Sequence, residues 1–194
     1  MAGNLAYQDD FEEKRRVELI GGKAVMMAPA SSDHNHIAGN IHGIFWGYLR
    51  GKTCVPFGDN EKVFLSASDR FVPDFMVVCD RDKIRHDGVH GAPDLVVEVL
   101  SPRTEVRDRR DKKAVYEQCG VKEYWLVSPV GEYVEVYLLT EGKFVLQEVY
   151  TYQPWNKEVW TEKERAQAVT QFKCSLFDDL DIQLEDIFYG LLPG

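Results

Sequence analysis

The chain has 194 residues and a hydrophobic fraction of 44%, which suits a single domain with a sizeable core. No segment approaches the roughly 20 apolar residues of a membrane span, and the charged N-terminal segment does not resemble a signal peptide, so we expect a cytoplasmic protein. The net charge of −9 argues against a general nucleic-acid binder, because phosphate contacts require a basic surface.

The first predicted elements are a β-hairpin and a helix. Residues 17–27 indicate two strands around the two-residue turn Gly21-Gly22, where glycine permits positive φ. Candidate N-caps at residues 31–33 precede apolar residues at helical spacing, which predicts a helix from about Asp33 to Leu49.

The middle of the chain predicts the buried centre of a sheet. Two apolar runs, residues 73–79 and 94–100, are typical of strands that are covered on both faces. Shorter strands are expected near residues 54–57 and 63–65, and a polar, loop-like segment is expected at residues 80–91.

The remaining elements complete an α/β pattern. A second helix is predicted from about Thr104 to Cys119, where Gly120 ends it. Later strands are predicted at residues 123–127, 132–139 and 144–150, and a short helix near 184–191. We therefore expect one domain over residues 1–194: a mixed sheet flanked by helices, with an N-terminal hairpin, a core at about 17–139, and additional strands and a short C-terminal helix in 140–194.

The four cysteines predict neither a zinc site nor a redox motif, because no two of them form a C-x-x-C pair. Cys79 and Cys119 are expected to be small core residues. A disulfide framework is not expected in a chain of this length without an export signal.

Two acidic residues lie in or beside apolar strands. Asp74 begins one strand and Glu98 lies inside another, where Asp94 points to the same side because side chains alternate. A carboxylate among Leu and Val needs a cation, a metal or a raised pKa. A salt bridge would explain one such acid, whereas two on neighbouring strands favour Mg²⁺, which binds one or two carboxylates plus water.

Lys112 lies on the face of the second helix that should meet the sheet. At 100° per residue, Asp108 and Tyr116 fall close to it, whereas Arg107 and Arg110 fall on the opposite side. Lysine is rarely placed there without a partner. Its ammonium either reaches the carboxylate pair, extends to water, or pairs with Asp108. The basic cluster at residues 103–113 otherwise resembles a solvated helix face.

Several segments resemble the PD-(D/E)xK nuclease superfamily, and most closely a restriction-endonuclease-like family that is common in bacteria. They are VELIGGKAVMM with Pro29 and His34, FVPDFMVV, GAPDLVVEVLSPRT and DRRDKKAVYEQCGVKEYWLVSP. One departure is that Leu100 occupies the superfamily's lysine position, two residues after the second acid. The corresponding lysine of the family matches Lys112.

The resemblance implies a metal-dependent DNA endonuclease. Asp74 and Glu98, with the carbonyl of Val99, would hold Mg²⁺ or Mn²⁺, and Lys112 would position a water or stabilise developing charge. Glu18, His34 and Asp94 are auxiliary candidates: Glu18 as a further ligand, and His34 as a substrate contact or a helix cap. The catalytic candidates are therefore Asp74, Glu98 and Lys112, and the auxiliary candidates are Glu18, His34 and Asp94.

The resemblance also implies a homodimer, because restriction-type enzymes often pair and two-fold dimers are the commonest assembly. Aromatic residues of the late strands are candidates for the contact, and core packing explains them equally well. They are Tyr133, Tyr137, Tyr150, Tyr152 and Trp155.

Two other functions remain open. A catalytically degenerate member that binds a partner is favoured by the acidic charge and by Leu100. A metal-free acid/base hydrolase is less favoured, because no nucleophile with a partnered base is evident. If the nuclease hypothesis is right, Lys112 should point at Asp74 and Glu98, and Lys113 should point to solvent.

Overall fold

Two six-stranded sheets form the body of the protein in a computed structural model that describes residues 17–27, 29–152 and 161–192. The strands are β1 (Val17–Ile20), β2 (Lys23–Met26), β3 (Val55–Gly58), β4 (Val63–Phe64), β5 (Arg70–Phe71), β6 (Phe75–Val78), β7 (Ile84–Arg85), β8 (Gly88–His90), β9 (Leu95–Val99), β10 (Glu123–Ser128), β11 (Tyr133–Thr140), β12 (Lys143–Thr151), β13 (Gln171–Lys173) and β14 (Asp181–Gln183). The helices are α1 (Ser32–Leu49), α2 (the consecutive segments Glu105–Arg107, Asp108–Lys112 and Lys113–Cys119), α3 (Glu162–Gln167) and α4 (Leu184–Ile187), with a 3₁₀ turn at Arg81–Lys83.

The first sheet begins with the predicted hairpin. β1 and β2 pair from Val17↔Met26 to Ile20↔Lys23, and Gly21 and Gly22 adopt φ of 54° and 78° in the turn. The sheet continues in the order β2-β1-β5-β4-β8-β7. Strands β7 and β8 lie in the segment that was expected to be a loop. That expectation is wrong because strands of two or three residues are too short to show a periodic pattern.

The second sheet contains the two buried strands next to the acidic residues. Its order is β12-β11-β10-β9-β6-β3, with β9 antiparallel to β6 and parallel to β10. The sheet is therefore mixed, as predicted. The side chains of β6 and β9 are buried along their whole length, which explains why these strands are almost entirely apolar.

Helices α1 and α2 cover opposite faces of this sheet. Ile37 and Phe45 of α1 pack in one core cluster with Val97, whereas Tyr116 of α2 packs in the other with Val96. Glu98 alternates with Val97 along β9, so its side chain points to the face that α2 covers. The position of Glu98 in the strand therefore brings it toward Lys112.

Helix α2 is not a regular α-helix. Its middle segment, Asp108–Lys112, is a π-helix, and Gly120 with φ of 87° ends the helix as predicted. A π-turn joins residues i and i+5, so residues five apart lie on the same side of the helix. A helical-wheel projection at 100° per residue therefore misplaces the side chains of this segment.

Cys54 and Cys79 form a disulfide bond, contrary to the prediction that Cys79 is a simple core residue. They lie directly across from each other, one residue beyond the Val55↔Val78 pair of β3 and β6, with Cα atoms 3.9 Å apart. The pair depends on strand register, which the spacing of cysteines in the sequence does not reveal. Cys119 and Cys174 are free thiols.

The C-terminal segment packs onto the second sheet through a buried carboxylate. Glu123 of β10 accepts hydrogen bonds from Trp125 Nε1 at 2.6 Å and from the backbone N–H of Ser175 at 2.8 Å. Helix α4 ends at Ile187, which makes it shorter than predicted, and β13, β14 and α3 were not predicted. No helix in the described ranges has both the length and the apolar character that crossing a bilayer requires.

Candidate active site

A cleft lies where β6 and β9 meet the N-terminal hairpin, α1 and α2. Among the described residues that line it, five carry carboxylates and two carry permanent positive charges. The acids are Glu18, Asp59, Asp74, Glu98 and Asp108, and the cations are Arg107 and Lys112. The site has little exposure to solvent, so its excess negative charge must be balanced by cations within the cleft.

Asp74 lies immediately before β6, one residue beyond the Phe75↔Val97 pair, and this register places it beside Glu98. Its Oδ2 accepts the backbone N–H of Val99 at 2.7 Å, and its Oδ1 lies 2.9 Å from His34 Nε2. Burial lowers the pKa of His34, but the hydrogen bond and the charge of Asp74 outweigh it and raise this pKa overall. The two contacts fix the orientation of the Asp74 carboxylate.

His34 reaches Asp74 because α1 begins just before it. The backbone N–H of His34 donates to the Oγ of the N-cap Ser31 at 3.2 Å, so its side chain is not needed for capping. The His34 side chain is instead part of the site. Its Nδ1 is buried and has no hydrogen-bond partner in the described part of the chain.

Glu98 is 2% exposed, and one of its oxygens receives two hydrogen bonds. Lys112 Nζ lies 3.0 Å and Tyr116 Oη 2.8 Å from Glu98 Oε1. Oε2 receives no hydrogen bond from the described residues. Burial, with the nearby charges of Asp108 and Asp74, raises the pKa of Glu98 well above its ordinary value despite Lys112. This carboxylate would therefore gain from a further cation.

Lys112 is the centre of the charged cluster. Its ammonium lies 2.8 Å from Glu18 Oε1, 3.0 Å from Glu98 Oε1 and 3.6 Å from Asp108 Oδ1. Burial opposes the charged form, but Glu98, Glu18 and Asp108 together raise the pKa of Lys112. At 3% exposure the ammonium does not extend to water. It contacts Glu98 of the predicted carboxylate pair and lies near Asp108.

The neighbouring lysine differs from its prediction. Lys113 is half-buried, and its Nζ lies 3.4 Å from the centre of the Tyr137 ring. The expectation that it points to solvent is wrong, because β11 places an aromatic face within its reach.

Glu18 and Asp94, two auxiliary candidates, have different positions. Glu18 of β1 is 1% exposed and accepts the backbone N–H of Val72 at 3.0 Å in addition to the Lys112 ammonium. Asp94 precedes β9 at the opposite end from the cleft, where it binds the N–H of Cys79 at 2.7 Å and Lys122 Nζ at 2.7 Å. Asp94 therefore stabilises the strand ends and is not part of the cleft.

Asp108 and Arg107 line the cleft, and Tyr116 contacts Glu98 from the buried side; none of the three was predicted as a site member. Asp108 and Tyr116 lie four residues before and after Lys112. This spacing puts side chains on one side of a helix, so it could have identified both residues. Arg107 was expected on the opposite side of α2, which is wrong. Because the π-turn brings residues five apart to one side, Arg107 lines the same cleft as Lys112.

The donor atoms of the cleft suit a hard divalent cation. Mg²⁺ and Mn²⁺ bind oxygen ligands, and Mg²⁺ is commonly held by only one or two carboxylates plus water. Asp74 and Glu98 supply two such groups, and burial with mutual repulsion raises the pKa of Glu98 and of Asp108. Among the described residues, no three His, Cys, Asp or Glu side chains form a preassembled metal cage.

Comparisons with known proteins identify a family and a similar fold. Residues 4–164 match the model of the Uma2 family, which is described as "Putative restriction endonuclease". An uncharacterized protein of Synechocystis sp. is 30% identical over 131 residues, which are 66% of this chain and 69% of that protein. A crystal structure from Anabaena variabilis, named as a putative nuclease belonging to DUF820, aligns with a TM-score of 0.68 at 18% identity over 93% of this chain and 96% of that one. This last likeness concerns the fold.

Proposed function

Because this chain belongs to the Uma2 family of restriction-endonuclease-like proteins, we propose that it is a metal-dependent endonuclease that hydrolyses phosphodiester bonds in DNA. The contact that supports this proposal best joins Lys112 Nζ to Glu98 Oε1, 3.0 Å apart, in the cleft that Asp74 also lines. Two acids and a lysine are thus combined in one cleft, although Leu100 replaces the lysine of the superfamily pattern.

Asp74 and Glu98 would hold Mg²⁺ or Mn²⁺, which when bound polarises a phosphate and lowers the pKa of a bound water. His34 and the Val99 N–H keep Asp74 in place through both of its oxygens. Lys112 stays protonated beside its carboxylates, so it acts as a fixed positive donor for charge that develops on the phosphate, and not as a base.

The proposal predicts that the wild-type protein cleaves plasmid DNA when Mg²⁺ or Mn²⁺ is added. Asp74→Ala should reduce the rate by at least about a hundredfold, because it removes a ligand and its hydrogen bonds. Asp111→Ala, an exposed acid on α2, is the matched control and should keep wild-type activity. Cleavage of an RNA of the same sequence, measured in parallel, shows whether the protein acts on DNA or on RNA. No cleavage with either metal would contradict the proposal.

A catalytically degenerate protein that binds a partner is the second candidate. It is favoured by the net charge of −9 and by the fact that Lys112 and Tyr116 already satisfy one oxygen of Glu98. The cleavage measurement separates the two functions, because only the endonuclease depends on Asp74 for turnover.

We also propose that two copies of the chain pair. β12 lies at the edge of the second sheet as far as the described residues extend, and Val145, Leu146 and Val149 on it are 52%, 47% and 40% exposed. Of the aromatic candidates, Tyr150 and Tyr152 stack on Phe172 and Phe188 of the same chain, and Trp155 lies outside the described residues. A monomeric mass by light scattering at micromolar concentration would contradict pairing. The cytoplasmic location and the single domain stay predictions.

A further inference from the structure

Three arginines of α2 have different surroundings. Arg109 is fully engaged: its Nε binds Glu105 at 2.8 Å, its Nη1 binds Glu135 at 2.8 Å and its Nη2 binds Tyr133 at 2.9 Å. Arg110 is exposed. Arg107 lines the cleft, and its Nη1 is buried without a hydrogen-bond partner among the described residues.

Arg107 is only a distant ion-pair partner of Glu18. The distance from Arg107 Nη1 to Glu18 Oε2 is 3.9 Å, which is too long for a hydrogen bond. Glu18 Oε1 already has Lys112 Nζ at 2.8 Å and the N–H of Val72 at 3.0 Å. A buried donor without an acceptor is costly, and a ligand that supplies the acceptor would remove that cost.

The cleft needs a cation that is free to meet an anion. Five carboxylates line it and would repel a phosphodiester, while the Lys112 ammonium is shared among three of them. The guanidinium of Arg107 presents donors in a fork that matches two phosphate oxygens. Its side chain is 18% exposed, and the residue lines the cleft.

We propose that Arg107 binds a phosphate of the nucleic-acid backbone in the cleft, an inference that rests on the proposed function and names the recognition group of the same site. The π-turn at Asp108–Lys112 makes this possible, because it brings Arg107 to the cleft that Lys112 also lines. Arg107 is thus a substrate-binding residue whose contribution is separate from holding the metal.

The test is the binding of a fluorescein-labelled DNA oligonucleotide, followed by anisotropy in Ca²⁺ over a range of salt concentrations. Arg107→Ala should raise Kd by about tenfold to a hundredfold, the usual effect of losing a charge-assisted hydrogen bond. The slope of log K against log salt should fall by about one, as expected for one lost phosphate contact. Arg110→Ala, a substitution on the same helix, should leave Kd for the oligonucleotide near the wild-type value.

A second variant guards against loss of folding. Arg107→Lys keeps the charge but not the fork, so its melting temperature and salt slope should stay near those of wild type while Kd rises less than in Arg107→Ala. Equal DNA affinity and equal salt slope for wild type and Arg107→Ala would overturn the assignment. A lower melting temperature of Arg107→Ala with an unchanged salt slope would also overturn it, as would failure of the wild-type protein to bind DNA. Binding that depends on Arg107, without cleavage in Mg²⁺ or Mn²⁺, would support the phosphate site and refute the endonuclease.

Discussion

Replacing Lys112 with alanine is expected to slow metal-dependent cleavage strongly and to destabilise the metal-free protein at the same time. The ammonium is the nearest cation to Glu18 and Glu98, and it is within 3.6 Å of Asp108. Its removal leaves buried carboxylates without their counter-ion, which typically costs about 3–5 kcal/mol of unfolding free energy. Loss of a preorganised positive donor should slow cleavage by about 10²–10³-fold.

The two effects of the Lys112 substitution are separable by experiment. Urea denaturation gives the loss of stability without metal, and added Mg²⁺ should restore part of it, since a divalent cation balances the same carboxylates. Lys112→Met keeps most of the side-chain volume and should show both effects, whereas Arg110→Ala should show neither. If Lys112→Ala cleaves as fast as wild type, the lysine has no part in the chemistry and the binding function becomes the better explanation.

Glu98→Gln is expected to give the opposite combination, a protein that folds at least as stably without metal and does not cleave. Burial and the charges of Asp108, Asp74 and Glu18 raise the pKa of Glu98, so a neutral amide is better tolerated there than a carboxylate. The amide oxygen still accepts from Lys112 and Tyr116. The amide is a much weaker ligand for a hard cation, so metal binding is lost.

Calorimetry with and without Mg²⁺ measures how much a bound metal ion stabilises each protein. At a hundred times Kd, a bound ion stabilises a protein by about 2.7 kcal/mol, and this gain should appear in wild type and disappear in Glu98→Gln. Asp111→Asn, on the exposed side of α2, should keep both the Mg²⁺-dependent shift and the cleavage. A Mg²⁺-dependent shift of wild-type size in Glu98→Gln would exclude Glu98 as a ligand.

Much of the fold and part of the site are predictable from the sequence, because long buried strands and amphipathic helices leave clear patterns. The adjacency of the strands next to Asp74 and Glu98 and the contact of Lys112 with Glu98 follow from such patterns. The very short strands β5, β7 and β8 leave no period to detect. The Cys54–Cys79 bond depends on strand register, and Arg107 depends on a local change of helix type; neither has a signature in residue spacing.

Helix α2 also affects how this chain should be aligned with relatives. Arg107 and Lys112 share the cleft at a separation of five residues, whereas a regular α-helix brings residues three, four or seven apart to one side. A relative whose helix lacks the π-turn would therefore need one residue fewer between the same two functional groups. Gap-free alignment across residues 107–112 would then pair either its arginine or its lysine with the wrong position. Substitution patterns at this helix are best read with a one-residue gap allowed inside the π-turn.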